Sequence, residues 1–533
     1  MSDVTNLETT KTNETISTNP ANGEVIGRTK EDNIQTLQAA VIRARIAQKE
    51  WASFSFDKRK EYLLKIRDFI VENADEISEV ISKDNGKTRT DAISTEVLSS
   101  AMAINYYAKN AKKILKRKHL KAGSILTINK RSYVDRVPYG VIGIISPWNY
   151  PFAIPFHEIA MALIAGNAVI LKTATQTLEV GKIITRAVNS ANLPDGLFTF
   201  LNIPGSIAGD AFIDSGIDKL FFTGSVAVGK KLTLKASEKL LPLSLELGGN
   251  DAMIVCKDAD VIRAANGALW AGLSNAGQSC AGIERIYVEQ EIYSDFIALL
   301  KHKLKRLRVG QDVDYNVEIG AITTKQQLET VKLHLQDAIE KGASITSCDV
   351  DETTINKGQL HPPVIIENVN DEMLTMKDET FGPLLAVEKV SSIEEAITKA
   401  NNSYLGLTAS VWTKDSKKGK EIASKLQAGA VMINDHLMSH GLAETPWGGF
   451  KLSGTGRTHG YLGLEGMTQP RVVINDILPG VKRNMWWYPH NKSVYDGLKG
   501  AMHLLYGKDF FTKVSGLSKL VKVFLRSFYD EKL

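Results

Sequence analysis

The sequence predicts an α/β protein of two or three domains, and three observations carry that prediction. From residue 140 to residue 225, short apolar runs alternate with helical stretches. A second alternation of the same kind spans residues 251–434. The 533 residues also exceed what one typical hydrophobic core organises. Strands this short and apolar, set between helices, belong to a parallel sheet covered on both faces.

Composition narrows the class. Hydrophobic content of 43% with 23% charged residues describes a soluble globular protein. Three cysteines build no disulfide framework, and no C-x-x-C pair offers a structural zinc site, so a reducing, cytoplasmic setting without metal is expected. The most apolar region, residues 139–171, contains Pro147, Pro151, Pro155, His157 and Glu158, which argues against a membrane span. The polar first 17 residues read as a flexible arm with no secretory leader. Net charge is +5, but residues 481–533 alone carry +6, which leaves −1 for the first 480. The basic balance therefore belongs to the tail, and a near-neutral body excludes nucleic acid as its partner.

In chain order, Asn19-Pro20-Ala21-Asn22-Gly23 is a turn before a short strand at 24–27. Residues 33–118 carry apolar positions at helical spacing, such as Leu63, Ile66, Phe69 and Ile70, and predict several helices. Residues 124–137 alternate like a hairpin too polar for a core, one whose edge could pair with another subunit. Strands follow at 141–145, 168–171, 198–202 and 219–222, with helices at 159–165, 180–191 and 208–215 between them. In the second unit strands are expected at 252–255, 285–288, 386–390, 409–412 and 430–433, with helices at 260–273 and 292–304. Thr223-Gly224-Ser225-Val226-Ala227-Val228-Gly229 opens a helix with two glycines five apart. It is not the G-x-G-x-x-G fingerprint, yet a small-residue helix start still offers free N–H groups to a phosphate. Four glycines between Gly448 and Gly456 read as a loop folded tightly against something, or as a linker.

Cys280 stands apart from the other cysteines. It sits in Gly277-Gln278-Ser279-Cys280-Ala281-Gly282, after the turn-like Asn275-Ala276-Gly277. A thiolate is the strongest ordinary nucleophile, and small neighbours give it access. A lone cysteine is more often a small buried hydrophobe, so the rest of the chain must decide.

Taken together, the motifs resemble those of the NAD(P)-dependent aldehyde dehydrogenase superfamily over residues 18–478. The matches are Pro147-Trp148-Asn149-Tyr150-Pro151, Phe222-Thr223-Gly224-Ser225, Leu245-Glu246-Leu247-Gly248-Gly249, Gly277-Gln278-Ser279-Cys280, Glu379-Thr380-Phe381-Gly382-Pro383 and the glycine-rich stretch ending at Arg457. The resemblance implies an aldehyde dehydrogenase-like fold: a Rossmann-type cofactor domain (1–119 and 138–248), an α/β catalytic domain (249–462) and a small β oligomerisation element (120–137 and 463–480). Residues 481–533 then form a basic, aromatic-rich extension. It implies Cys280 as nucleophile, Asn149 with the Cys280 N–H as oxyanion holders, and Glu246 as the base that activates water. Glu379, Phe381, Trp148, Lys172, Thr175, Gly224, Ser225 and Gly229 would hold NAD or NADP. The product would be a carboxylic acid, formed through a thiohemiacetal and a thioester by a homodimer or a dimer of dimers. Release of an acyl-CoA, and a charged semialdehyde substrate, are the alternatives; Glu246 speaks against the first.

Two departures from the family pattern bear on specificity. Thr175 stands where an acidic residue commonly contacts the adenosine ribose, so repulsion of a 2′-phosphate is lost and NADP use stays open. Asn250 stands where a lysine is common. Phe152, Ile154, Phe156, His157, Ser279, Ala281 and Trp447 are expected to line a largely apolar substrate pocket, with Glu284 repelling a carboxylate if it points inward. In the tail, Leu517, Leu520, Val521, Phe524, Leu525 and Phe528 recur at helical spacing, with Lys519, Lys522 and Arg526 opposite. That pattern fits a helix docked on protein, or one lying on the inner face of a membrane.

Overall fold

The computed structural model describes residues 13–529 and divides them into two compact units. One holds the chain up to Leu115 and from Pro138 to Gln469; the other holds Lys116–Val137 and the chain from Pro470 onward.

In the larger unit a first sheet runs in the order Gly454–Thr455, Leu243–Glu246, Lys219–Thr223, Val141–Ile145, Ala168–Lys172, Phe198–Phe200. All neighbours are parallel except the first pair. The strands Val141–Ile145 and Ala168–Lys172 are buried at every position, as expected where helices cover both faces. Chain order reverses between Val141–Ile145 and Lys219–Thr223, and ligands of such sheets bind beyond the strand ends at that reversal. Asn149 and the Gly224-Ser225 turn follow those two ends.

Helices pack against this sheet. Ile34–Ser53 starts at Asn33, whose side chain accepts the Thr36 N–H at 2.9 Å. It buries Leu37, Ala40, Val41, Ala44, Ala47 and Trp51, one stripe at helical spacing. A second sheet runs Ser344–Ser347, Val364–Glu367, Leu384–Val390, Ile283–Glu289, Asp251–Val255, Thr408–Trp412, Ala430–Ile433, parallel except at its first pair. Each sheet has its own buried apolar core.

The glycine-rich stretch is not a linker. Phe450–Lys451 pairs with Leu405–Gly406, and Gly454–Thr455 pairs antiparallel with Glu246 and Leu245. A Cβ on Gly454 would lie 2.0 Å from the Leu245 carbonyl oxygen, and its φ is +140°. Only glycine serves there. Part of the expected flexible arm is also ordered: Glu14–Thr18 pairs with Val25–Lys30, while residues 1–12 lie outside the described residues. Polarity misled here, because backbone pairing needs no apolar side chains.

The smaller unit contains a sheet ordered Thr468–Asp476, Lys130–Pro138, Lys118–Leu120. The expected hairpin at 124–137 is shifted. Lys118–Leu120 is the antiparallel partner of Lys130–Pro138, and Ile125–Thr127 forms a 3₁₀ turn. Asn129 and Lys130 anchor on Asp476 at its start. Two helices, Lys492–Tyr506 and Phe510–Leu525, complete the unit.

Candidate active site

The Cys280 loop is held in an unusual backbone shape. Asn275, Ala276 and Gly277 carry successive positive φ values of 54°, 53° and 74°. Such a run is costly for the first two residues and persists only where surroundings impose it. Here Asp91 accepts the Asn275 N–H at 2.9 Å and the Ser274 hydroxyl at 3.0 Å. Gln278 donates to Asn275 O at 2.9 Å and accepts the Thr323 N–H at 2.8 Å. A Cβ on Gly277 would lie 2.1 Å from the Gly382 carbonyl oxygen, so glycine lets this loop meet the one carrying Glu379.

Asn149 is buried, and its Nδ2 donates to Gln278 O at 3.2 Å, two residues before Cys280. An amide has a second N–H, which the 3.2 Å bond leaves for other use. Its backbone carbonyl accepts from Asn275 Nδ2 at 2.8 Å and Lys87 Nζ at 2.9 Å. Lys87 also pairs with Glu96 at 2.6 Å, both side chains fully buried. Glu96 Oε2 accepts the N–H groups of Phe152 and Ala153, at the start of the helix Ala153–Ala165. The pair thus ties Asn149 to the helix that follows it. Lys87→Met leaves the buried Glu96 carboxyl without its cationic partner. The expected cost is about 3–5 kcal/mol of unfolding free energy, read from urea denaturation. An unchanged midpoint would show that the pair contributes nothing to stability.

Glu246 ends its strand buried, and neither carboxylate oxygen has a hydrogen-bond partner among the described residues. Burial first, and Glu158 second, push it well above the usual carboxylate range, against the pull of Arg457. Glu158 is itself raised to about 8 by burial, with Lys219 opposing. Glu246, Glu158 and Cys280 share a pocket of about 10 Å³, the size that holds about one water. Cys280 also lines a larger cavity of about 280 Å³, with Leu98, Met102, Trp270, Met438 and Trp447 among its walls. Among the described residues, no Lys, Arg, Asp or Glu side chain lines it. Cys280 is partly exposed, whereas Cys256 and Cys348 are buried. Burial and the carboxyls of Glu379, Asp251 and Glu246 raise its thiol pKa.

Glu379 accepts the Gly249 N–H at 2.9 Å. A Cβ on Gly248 would meet its Oε2 at 2.2 Å, and one on Gly249 would meet Cys280 O at 2.1 Å. The two glycines therefore allow Glu379, the Glu246 strand and Cys280 to converge. Glu284, raised to about 7 by burial, accepts the N–H groups of Thr380 and Phe381 at 2.8 and 2.7 Å. It is a clamp on the Glu379 loop and does not face the substrate cavity. Asn250, in place of the common lysine, donates to Asp378 O at 3.1 Å, just before Glu379.

The model of the aldehyde dehydrogenase family matches residues 7–473. The chain belongs to the aldehyde dehydrogenase family. It is an enzyme that uses NAD(P). It is 35% identical over 490 residues to the 4,4'-diapolycopene aldehyde oxidase of a Methylomonas species, covering 92% of this chain and 91% of that one. It is 36% identical over 440 residues to a protein of Mycolicibacterium smegmatis provisionally named as a succinate-semialdehyde dehydrogenase with NADP(+), covering 82% and 84%. Among solved structures, the NAD+ complex of an aldehyde dehydrogenase from Bacillus cereus superposes with a TM-score of 0.82 at 31% identity, covering 87% and 94%.

In this aldehyde dehydrogenase Trp148, Lys172, Thr175, Gly224, Ser225 and Gly229, singled out for the cofactor, follow or end strands of the first sheet at their carboxyl ends. Glu379 and Phe381 stand on the loop before Leu384–Val390 of the second sheet. Lys172 ends its strand 6% exposed, and its side-chain Nζ has no hydrogen bond or ion pair among the described residues. Burial lowers its pKa to about 8. Its Nζ lies 3.8 Å from where a Cβ on Gly205 would stand, at the start of the helix Gly205–Asp214. Thr175 follows on a short 3₁₀ turn. Gly224 donates to Glu246 O at 3.0 Å, and Ser225 caps the helix Val226–Ser237. Gly229 lets that helix approach Leu247: a Cβ there would meet its methyl at 2.7 Å. Trp148 and Phe381 meet edge to face at 5.4 Å between centroids. A buried cation with no side-chain partner among the described residues, beside the start of the helix Gly205–Asp214 and one strand from the sheet's switch point, fits a dinucleotide.

Four of the seven expected pocket residues, Ile154, Ser279, Ala281 and Trp447, do line the larger cavity. Phe152 and Phe156 do not; they are core residues whose rings pack tilted against each other at 4.5 Å between centroids. His157 lies in a buried cluster with His440 and His459, at 4.2 Å from the latter. Burial holds His440 down at about 4, so it is neutral near pH 7. The motifs did not expose Glu158, Lys87 or Glu96; the Glu158 carboxyl in an otherwise apolar helix was the one available signal.

Proposed function

We propose that this enzyme oxidises uncharged, apolar aldehydes, aliphatic of medium or long chain or aromatic, to the acids, in the cytoplasm and as a homo-oligomer. The observation that carries the proposal is the larger cavity beside Cys280, whose lining is mostly apolar, with hydroxyls such as Ser99 and Tyr150 and the neutral His440 but no Lys, Arg, Asp or Glu among the described residues. A carboxylated substrate such as succinate semialdehyde would lose its hydration there and gain no cation in return. The Methylomonas relative is named for 4,4'-diapolycopene aldehyde and the Mycolicibacterium one for succinate semialdehyde; the uncharged lining of the cavity favours the first kind of substrate.

The assigned mechanism begins at Cys280. Its sulfur bonds to the carbonyl carbon while Glu246 takes the thiol proton; a thiol held this high needs a base. The oxyanion that forms is held by the free N–H of Asn149 Nδ2 and the Cys280 backbone N–H. A nicotinamide, when bound, would supply the acceptor for the hydride leaving the carbon held on Cys280, which would leave a thioester on that sulfur. Once Glu246 has passed the thiol proton on to solvent, its carboxylate draws a proton from a water in the small pocket, the hydroxide adds to the thioester carbon, and the C–S bond breaks to leave the Cys280 thiolate and the acid as product. A buried carboxyl beside that pocket favours water over coenzyme A as acceptor. Lys172, Thr175, Ser225 and Glu379 would hold the dinucleotide. With threonine at 175 no carboxylate repels a 2′-phosphate, so both NAD and NADP are expected to serve. The exposed Val472 and Ile474 on the strand Thr468–Asp476 support pairing between copies.

The test is a panel of aldehydes of increasing chain length with succinate semialdehyde included, each run with NAD and NADP. kcat/KM is expected to rise with chain length and to be lowest for succinate semialdehyde. Preference for the charged substrate would overturn the proposal.

A further inference from the structure

The two C-terminal helices are packed in a way that turns their large apolar residues outward. Where Lys492–Tyr506 crosses Phe510–Leu525 the contact is made by glycine. A Cβ on Gly500 would lie 2.6 Å from Gly516 O, and one on Gly516 would lie 2.4 Å from Gly500 O. One on Gly497 would meet Val523 Cβ at 2.5 Å. Backbones this close leave little room between the helices, and the buried apolar residues there are few: Met485, Val494, Ala501, Leu520 and Val523. Helices that associate inside lipid pack through small residues in this manner; those in water bury large ones.

The exposed side is correspondingly apolar. Tyr506, Phe510 and Phe511 flank the turn between the helices and are 78%, 73% and 83% exposed. Met502, Val514, Leu517, Val521, Phe524 and Leu525 continue that surface. Trp486, Trp487 and Tyr488 are exposed just before the first helix. Lysines are interspersed: Lys499, Lys508, Lys513, Lys519 and Lys522 are all exposed. The arginines are otherwise engaged. Arg526, expected on a free polar face, is buried and donates to Pro489 O at 2.8 Å, and Arg483 donates to Tyr529 O. Residues 481–529 hold nine Lys and Arg against Asp496 and Asp509. Asp509 is spent capping the second helix through the Thr512 N–H.

We propose that this helical hairpin docks the enzyme on an anionic lipid surface, with the aromatic tip in the acyl boundary and the lysines among the headgroups. The helices, of 15 and 16 residues, are shorter than a bilayer's hydrocarbon core, and no described helix is long and apolar enough to cross a membrane. The hairpin lies on the membrane and does not span it. A second copy of the same face is the poorer partner, because it would bring two like-charged lysine sets together. The proposal goes beyond the catalytic reading: residues 474–533 lie past the family-matched segment.

The test uses the full chain in co-sedimentation with vesicles of phosphatidylcholine containing phosphatidylserine, and with vesicles of phosphatidylcholine alone. Sedimentation is expected with the first and much less with the second, and added salt should weaken it. Lys513→Glu/Lys519→Glu/Lys522→Glu should bind about a hundredfold more weakly, as should Phe510→Ser/Phe511→Ser, with oxidation of a water-soluble aldehyde unchanged in both. The lysine variant alters only exposed positions, so it stands as the test even if the aromatic one misfolds. Equal binding by the lysine variant, equal binding to neutral vesicles, or no vesicle binding with a change of oligomer mass in the aromatic variant would each overturn the proposal.

Discussion

Cys280→Ala is expected to abolish NAD(P)H formation from every aldehyde, a fall of ~10⁴ or more in kcat. The size of the effect follows from the absence of a substitute. Cys256 is buried in the core of the second sheet, and Cys348 is buried as well. Cys280 is the cysteine among the described residues that lines both the apolar cavity and the small pocket with Glu246. Removing its sulfur removes the atom to which the carbonyl carbon must bond, and water cannot expel hydride from an unactivated aldehyde at a comparable rate. Cofactor binding should survive, because the residues assigned to it stand on other segments. Quenching of tryptophan fluorescence by NAD or NADP therefore separates lost chemistry from lost folding. Turnover by the variant within tenfold of the parent would end the assignment of a covalent route.

The parts of the molecule legible in the sequence share one property: their signal is local. The strand Val141–Ile145 sits where five consecutive apolar residues place it, and the helix Val261–Leu273 falls within one residue of expectation, capped by Asp260. The segments that were not legible are decided by contacts distant in sequence. Gly454–Thr455 joins the first sheet by pairing with residues two hundred positions earlier, and a glycine run carries no periodicity that would announce it. Glu284 sits near Cys280 in sequence, yet its carboxylate points to the N–H groups of Thr380 and Phe381 about a hundred residues on. Phe152 and Phe156 follow the Asn149 motif closely, but helix geometry turns them into the core. The helical spacing of Leu517, Leu520, Val521 and Phe524 was visible, while the glycines that push most of these residues outward act only once two helices meet. Cys280, Asn149 and Glu246 were nameable because their motifs are; the Lys87–Glu96 pair behind Asn149 has no motif.

Glu246→Gln should separate the two halves of the reaction. The glutamine side chain keeps the shape of the site but cannot accept a proton from water. A first turnover should still deliver up to one NAD(P)H per active site, at a reduced rate because the thiol proton must now leave to solvent without Glu246, followed by a steady state slower by about 10²–10⁴. Stopped-flow absorbance at the reduced-nicotinamide band reads both phases, and quenched enzyme should carry the acyl group on Cys280. The pH dependence is a sharper check. Glu246 works as a base only when ionised, and burial together with Glu158 raises its pKa well above the usual carboxylate range. The wild-type steady-state rate should therefore climb as pH rises through that raised value and fall away as Glu246 is protonated below it. In Glu246→Gln this limb should vanish. In Glu158→Gln it should persist but move to lower pH, because the like charge that helps hold Glu246 protonated has gone. Arg457, which pulls Glu246 the other way, provides the opposite displacement: Arg457→Gln should move the limb to higher pH. A normal steady-state rate in Glu246→Gln, or a limb indifferent to Glu158, would mean that another group carries the proton from water.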